Sequence, residues 1–319
     1  MGVGTNRDGG AAVGSAAVVA AFDIGSNSIK MTVGRAGADG RVEEIAVASD
    51  TVRLGAGIET SGHLASDRIE AAMAALGRFA ANARALGATR LVAVATEATR
   101  VAANGPAFLD RVRRETGIEV AAISGDDEAD LTFRGLALTT DTCGDLVVVD
   151  IGGGSTEVIV ARDGVVIGAR SLPLGSGRLT DRLVVADPPT ATALAACRVA
   201  AGAAFDGLPA LGITLPSGGI TRLVAVGGTG EYLGRIVGPG PIGPSEIERA
   251  LARLAVTPAA TLATELGIPE ARARVLPAGV ATVAAAADRV RPAWVEPARS
   301  GIRAGLLLRE FAQLAAERV

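Results

Sequence analysis

Residues 22–35 read FDIGSNSIKMTVGR and residues 149–162 read VDIGGGSTEVIVAR, one phrase written twice: Asp-Ile-Gly, a turn of small residues, then an apolar run. Asp23 and Asp150 are 127 positions apart (150 − 23), and the alignment needs no gap. The same offset matches Ile24 with Ile151, Gly25 with Gly152, Ser28 with Ser155, Val33 with Val160 and Arg35 with Arg162. Further agreement follows in the same order. Asp39-Gly40 answers Asp163-Gly164, and Leu54-Gly55-Ala56-Gly57 answers Leu174-Gly175-Ser176-Gly177. An Ala-rich stretch then leads to Arg-Leu-Val-Ala-Val in each half, at 90–94 and 222–226. A period this long is not a solenoid unit. It predicts two related domains, which 319 residues accommodate with a core for each.

Short apolar runs ending in Asp-x-Gly, Val18–Asp23 and Leu146–Asp150, read as buried strands reaching tight turns. Strands resume over 29–34 and 157–161, and third strands fall over 43–48 and 165–172. Helices are predicted over 66–86, with Ser66 and Asp67 as caps, and over 190–205. The Arg-Leu-Val-Ala-Val runs are fourth strands, and 121–124 is a further one. Three hairpin-like strands followed by helix–strand alternation, twice over, describe an α/β fold in two related halves.

The turns carry the chemistry. In Asp150-Ile-Gly-Gly-Gly-Ser-Thr-Glu157, three consecutive glycines let the backbone approach a ligand and turn its N–H groups inward, as phosphate oxygens require. Ser155 and Thr156 add hydroxyls, while Asp150 and Glu157 bracket the turn with carboxylates suited to Mg²⁺. Gly25-Ser26-Asn27-Ser28 is the counterpart, with Lys30 close behind. One glycine turn is weak evidence; two related ones facing each other across a domain cleft are stronger.

The totals narrow the possibilities. With 49% hydrophobic and 20% charged residues the chain is not expected to be disordered, and with 3% aromatics its cores must be built from Ala, Val, Leu and Ile. A net charge of −3 speaks against a general nucleic-acid or anionic-membrane binder, so an anionic ligand needs local positive charge or a metal. Lys30 is the single lysine; the other cationic side chains are arginines apart from His63, which sits in a Ser-Gly-His-Leu turn. Cys143 and Cys197 lack metal-ligand spacing and are expected to be buried, reduced and inert. The apolar stretch 11–22 runs directly into Asp23, so 16–22 reads as strand rather than signal peptide, after a flexible tail over 1–15. No run approaches the ~20 apolar residues of a membrane helix. The expected location is the cytoplasm, with no membrane partner.

The motifs also resemble a known family. Asp-x-Gly-Ser-Asn-Ser at 23–28 and Asp-Ile-Gly-Gly-Gly-Ser-Thr-Glu at 150–157 are similar to those of the exopolyphosphatase / guanosine pentaphosphate phosphohydrolase (Ppx/GppA) family, of the actin-like ATPase and sugar kinase superfamily. The likeness extends to Thr96-Glu-Ala-Thr-Arg100-Val-Ala-Ala-Asn104, Ile123-Ser-Gly-Asp-Asp-Glu128-Ala, Ser171-Leu-Pro-Leu-Gly-Ser-Gly-Arg178 and Gly301-Ile-Arg-Ala-Gly305. It therefore spans nearly the whole chain, in family order. Two positions depart from the family pattern: Asp130 stands where Arg is usual, and Ala304 where an acid is usual.

The resemblance implies two duplicated actin-like (ribonuclease H-like) domains, over 16–139 and 140–303, with the active site between them. A C-terminal helix over 304–319 is expected to join the first domain. It also implies a metal-dependent hydrolase that releases terminal phosphate from inorganic polyphosphate. Glu128 would activate water and Arg100 would grip phosphate oxygens. Gly25, Ser26, Asn27, Ser28, Lys30, Gly152, Gly153, Gly154 and Ser155 would cradle phosphate, and Asp150, Glu157 and Asp23 would hold Mg²⁺ or Mn²⁺. Glu97 is expected to be structural. A homodimer and the short two-domain type follow from the same likeness. Guanosine pentaphosphate is the alternative substrate. A superfamily kinase, with Gly227-Gly-Thr-Gly230 near adenosine, and a non-catalytic polyphosphate or alarmone sensor are the alternative functions.

Overall fold

The computed structural model describes residues 17–37, 42–218, 221–299 and 301–317. The tail expected over 1–15 and the Asp39-Gly40 turn lie outside the described residues. In the first half, β1 (Val18–Ile24), β2 (Ile29–Ala36) and β3 (Val42–Asp50) form an antiparallel meander. β4 (Arg90–Ala95) and β5 (Glu119–Ala122) add in parallel on the other side of β1, giving the order β3-β2-β1-β4-β5. The second half repeats this with β6 (Asp145–Ile151), β7 (Thr156–Arg162), β8 (Val165–Leu172), β9 (Arg222–Val226) and β10 (Val295–Ala298), in the order β8-β7-β6-β9-β10.

The duplication reaches the register. Arg90 lies beside Val19 and Arg222 beside Leu146, two positions that the 127-residue offset makes equivalent. Both hairpins slip register at the same place, between Val33 and Gly34 and between Val160 and Ala161. The molecule thus has the two-domain actin-like (ribonuclease H-like) α/β architecture. β10 goes beyond the sequence-based expectation. It is only four residues, Val295-Glu-Pro-Ala, and it tolerates Pro297 because it lies at the sheet edge, where a missing N–H breaks no ladder.

The central strands are apolar over 18–22 and 146–149 because both of their faces are covered there. Ala20, Phe22 and Ile24 of β1 face one core with helices Ser66–Ala85 and Gly105–Thr116, while Val19 and Ala21 face Ile302, Leu306 and Leu307 of helix Ile302–Ala316. In β6, Val147, Val149 and Ile151 face the large second core, and Leu146 and Val148 face Ala129, Phe133 and Leu136 of helix Gly125–Leu136. Each half therefore lends its last helix to the other half's sheet. The two lent helices touch backbone to backbone: a Cβ on Gly135 would fall 2.0 Å from the Gly301 carbonyl oxygen, and one on Gly305 would fall 1.9 Å from that of Leu131. This exchange carries Glu128 to the strands of the second half.

Three expectations need correction. The helical stretch Ala191–Leu211 is 21 residues long with a mean hydropathy of 1.3, so one segment does reach membrane-spanning length and apolarity. Here it lies on the second core through Cys197, Ala201 and Phe205. Cys197 is buried but Cys143 is exposed, because it falls in the polar loop that enters β6. Helix Ser66–Ala85 has no side-chain cap; extended Ala65 precedes it, and Ser66 and Asp67 lie in its first turn.

Candidate functional site

β1 and β6 each run into a turn closed by the same bond. The Gly25 N–H donates to the Ser28 carbonyl at 3.1 Å, and the Gly152 N–H donates to that of Ser155 at 2.9 Å. Those two N–H groups are committed to the turn, so any phosphate-facing N–H must come from the residues between. The duplicated Leu-Gly-x-Gly loops lie on these turns: Gly55 donates to the Ser26 carbonyl at 2.8 Å, and a Cβ on Gly175 would fall 2.3 Å from the backbone of Gly153. A side chain at either loop position would push loop and turn apart.

The two turns do not stand apart on opposite walls. They touch. A Cβ on Gly153 would lie 2.5 Å from Asn27 Cβ, and one on Gly154 would lie 2.0 Å from Glu97 Oε2 and 2.6 Å from Ser26 Oγ. Glycine is required here by the approach of one half to the other. Glu97, buried, accepts from Ser26 Oγ at 3.0 Å and from Arg178 Nη2 at 2.5 Å, so it holds a residue of each half.

Beside this seam the carboxylates gather. Asp150 and Glu157 face each other across β6 and β7. Glu157 accepts from Ser171 Oγ at 2.7 Å, and Asp150 accepts weakly from Thr132 Oγ1 at 3.4 Å. Glu128, in the first turn of helix Gly125–Leu136, is buried with no partner for Oε2. Burial raises its pKa, and the charges of Glu157, Asp23 and Asp150 raise it further, against Arg100. Burial and then Asp150 raise the pKa of Glu157. Asp150 is raised by burial, with Lys30 opposing. Of the expected residues, the structure thus brings Asp23, Arg100, Glu128, Asp150 and Glu157 into one electrostatic neighbourhood.

The cations divide. Lys30 pairs with Asp23 (Nζ to Oδ2, 3.9 Å), and burial lowers its pKa. Arg100 donates through Nη1 to the Ile123 carbonyl at 2.7 Å, and its side chain lines a cleft of about 350 Å³ with Ser124, Ser155, Arg170 and Ser171. Sequence reasoning missed three arginines. Arg170 lines that cleft; Arg303 donates to Thr32 Oγ1 at 2.7 Å; Arg272 donates to Ser28 Oγ at 3.2 Å while lying over the Tyr232 ring. Arg303 was findable, since it sits inside the Gly-Ile-Arg-Ala-Gly phrase, whereas Arg272 lies in an Ala/Arg stretch with no signal. Arg272 also occupies the space over the Gly227–Gly230 turn, where a Cβ on Gly228 would fall 1.3 Å from its Nη2. Asp130, the departure from the family pattern, points away from all of this and pairs with Arg134 on the exposed face of its helix at 2.7 Å.

The donor set suits a divalent cation in part. Its oxygens are hard, mutually repelling and buried, and Glu128 Oε2 lacks any partner, so positive charge is missing from the cluster. Yet among the described residues no three carboxylates converge closely enough to hold an ion by themselves. Mg²⁺ is characteristically held by one or two carboxylates, with phosphate oxygens and water completing its shell. The residues fit that mode.

The profile of the Ppx/GppA phosphatase family matches residues 33–314. Exopolyphosphatase 1 of Mycobacterium tuberculosis is 31% identical over 301 residues, covering 91% of this chain and 87% of that protein. The crystal structure of the Aquifex aeolicus Ppx/GppA family member superposes with a TM-score of 0.75 at 26% identity, covering 93% of this chain and 98% of the other. An exopolyphosphatase structure from Cytophaga hutchinsonii gives a TM-score of 0.83 at 20% identity, covering 93% and 98%, a likeness of fold.

Proposed function

Because the chain belongs to the Ppx/GppA phosphatase family, we propose that it is an exopolyphosphatase, hydrolysing the terminal phosphoanhydride of inorganic polyphosphate at the cleft beside Glu128. The observation that carries this reading is Glu128 itself. It is a buried carboxylate with an unpartnered oxygen, lent by one half to the Asp150 and Glu157 of the other, with Arg100 at the adjoining cleft.

Water attacks the terminal phosphorus, the anhydride bond to the next unit breaks, and the shortened chain leaves with the bridging oxygen. Glu128 takes the proton from the water. Such transfer is governed by positioning and neutralisation of charge on the phosphoryl oxygens. Arg100 supplies a planar fork for two of those oxygens. Ser155, on the lining of that cleft, donates to the terminal phosphate, Ser26, Asn27, Gly153 and Gly154 face the chain on the other side of the seam, and Lys30 offsets charge beside Asp23. Asp150 and Glu157 would hold Mg²⁺ or Mn²⁺, with phosphate oxygens and water completing its shell, while Asp23 pairs with Lys30. When bound, that ion supplies the positive charge that lowers carboxylate pKa values and offsets the charge of the phosphates. Without that charge, burial first and the neighbouring acids second hold Glu128 in its protonated form, which is no base.

Transfer from ATP to an acceptor would need room at the Gly227–Gly230 turn, where the Arg272 guanidinium lies on Gly228; that contact speaks against ATP as the phosphoryl donor. The decisive assay is phosphate release from polyphosphate with Mg²⁺ and no ATP, run beside guanosine pentaphosphate. Release from polyphosphate is the expected result. Preference for the nucleotide would move the substrate but keep the reaction, and no release from either would remove the hydrolase.

A further inference from the structure

The seam between the two glycine turns separates two clefts. The first, of about 350 Å³, holds Arg100 and Arg170. The second, of about 180 Å³, is lined by Ser26 and Asn27 from one turn, Gly153 and Gly154 from the other, and Arg53, Arg178 and Arg182. Among the described residues the two linings share Glu97 alone. The wall is thin, because Gly153 and Gly154 lie against Asn27, Ser26 and Glu97 with no space for a Cβ.

Two of these arginines, Arg178 and Arg53, are engaged by carboxylates from across the cleft. Arg178, on helix Ser176–Leu183, pairs with Glu97 at 2.5 Å and Glu59 at 2.9 Å, both of the first half. Arg53 of the first half pairs with Asp181 of the second. A guanidinium fork that accepts a carboxylate accepts a phosphate by the same geometry, and a phosphate brings more charge and a third oxygen.

We propose that the second cleft is a subsite for the continuing chain of a polyanionic substrate, in which Glu97, Glu59 and Asp181 hold the places of phosphate groups until the chain displaces them. The inference rests on the exopolyphosphatase reading. A polyphosphate carries charge on every unit, so fixing its end beside Arg100 leaves the remaining units in need of cations. Arg178 and Arg53 are those cations, and Glu97, which lines both clefts, has to move aside for the chain to cross the wall.

The reading makes a prediction that a structural clasp cannot. Arg178→Gln and Glu97→Gln break the same ion pair, so a clasp would move both variants in one direction. In a subsite the two residues have opposite effects. The measured quantity is the ratio of kcat/KM on long-chain polyphosphate to that on tripolyphosphate. Arg178→Gln should lower the ratio about tenfold, the change that 1.4 kcal/mol of binding produces, and Glu97→Gln should raise it. Arg53→Gln and Asp181→Asn repeat the test on the more exposed pair, in case either buried change unfolds the protein. Anisotropy of labelled long-chain polyphosphate in chelator reads the same subsite without turnover. Shifts of one sign, or an unmoved ratio, overturn the proposal. A wild-type protein that binds the chain with these opposite shifts but releases no phosphate keeps the subsite and removes the exopolyphosphatase reading.

Discussion

The β1–β2 and β6–β7 hairpins share a strand register and a turn bond, and beside the turn they differ in the charge of one facing pair. Asp23 stands opposite Lys30; Asp150 stands opposite Glu157. Positions 30 and 157 are equivalent in the repeat (157 − 30 = 127). One hairpin is thereby a cation–anion pair and the other a pair of carboxylates, which repel when placed opposite each other in a sheet. Glu128 then adds a third carboxylate to the second hairpin, carried there by the helix that the first half lends. The duplicated scaffold supplies the same place twice, and a single cross-strand exchange decides which copy gathers negative charge. A cluster so arranged costs stability and is retained where chemistry needs it.

The largest expected effect tests whether the carboxylate side of this comparison is the working side. Glu128→Gln keeps shape and reach but removes the base. Turnover of polyphosphate should fall at least ~10²-fold, the lower end of general-base contributions, while chain binding in chelator holds, because a protonated Glu128 carries no charge to lose. A variant with most of its turnover would place the chemistry elsewhere.

The facing pairs themselves should respond with opposite signs. Lys30→Met leaves Asp23 without its cation and should destabilise the protein by about 1–3 kcal/mol, the scale for stranding one partner of a buried polar pair. Glu157→Gln relieves like-charge repulsion and should raise the melting temperature, by about 2–4 °C for each kcal/mol relieved, while lowering phosphate release. Thermal melts of both variants in chelator decide it. Destabilisation by Glu157→Gln would mean that its Ser171 bond outweighs the repulsion.

The pH dependence sharpens the same contrast. Glu128 and Glu157 have raised pKa values in the folded chain, so above the ordinary carboxylate range the folded state keeps protons that the unfolded state has lost. Their stabilising contribution is complete below the unfolded pKa and is lost as pH rises towards the folded one, by up to about 1.4 kcal/mol per pH unit for each proton. Lys30 is lowered, so its contribution has the opposite slope and rises with pH towards the ordinary lysine range. In chelator, the melting temperature should therefore decline from pH 5 to pH 8 (about one proton's worth or more), and Glu128→Gln should flatten the decline. A flat wild-type profile would contradict the clustering.

The fold was legible because the repeat was. Two copies of one phrase fixed which strands are equivalent, and the Arg-Leu-Val-Ala-Val runs marked the parallel neighbours of β1 and β6. β10 escaped because four residues containing Glu296 and Pro297 carry no strand periodicity, and only the pairing with β9 makes them a strand. In the candidate site, the turns and acids were readable as local motifs. Arg272 was not, since its role depends on reaching Ser28, 244 positions earlier in the chain. The contact between the glycine turns was also hidden: a glycine that admits another backbone looks, in sequence, like one that admits a ligand.

The smallest expected effect asks whether the repeat is a physical symmetry or a topological one. A Cβ on Gly25 would lie 3.1 Å from the Ser28 carbonyl oxygen, and a Cβ on Gly152 would lie 3.1 Å from that of Ser155. Neither glycine has the positive φ that would add backbone strain. Gly25→Ala and Gly152→Ala therefore impose the same crowding on the same turn bond, and each should destabilise the protein by about 1 kcal/mol, the low end for overpacking. Equal midpoint shifts in denaturant titrations would show that the two turns are energetically interchangeable and that the charge at positions 30 and 157 is what distinguishes them. If the second variant costs over about 1 kcal/mol more, the asymmetry extends into the turn backbone, and the neighbouring carboxylates already strain it before any phosphate arrives.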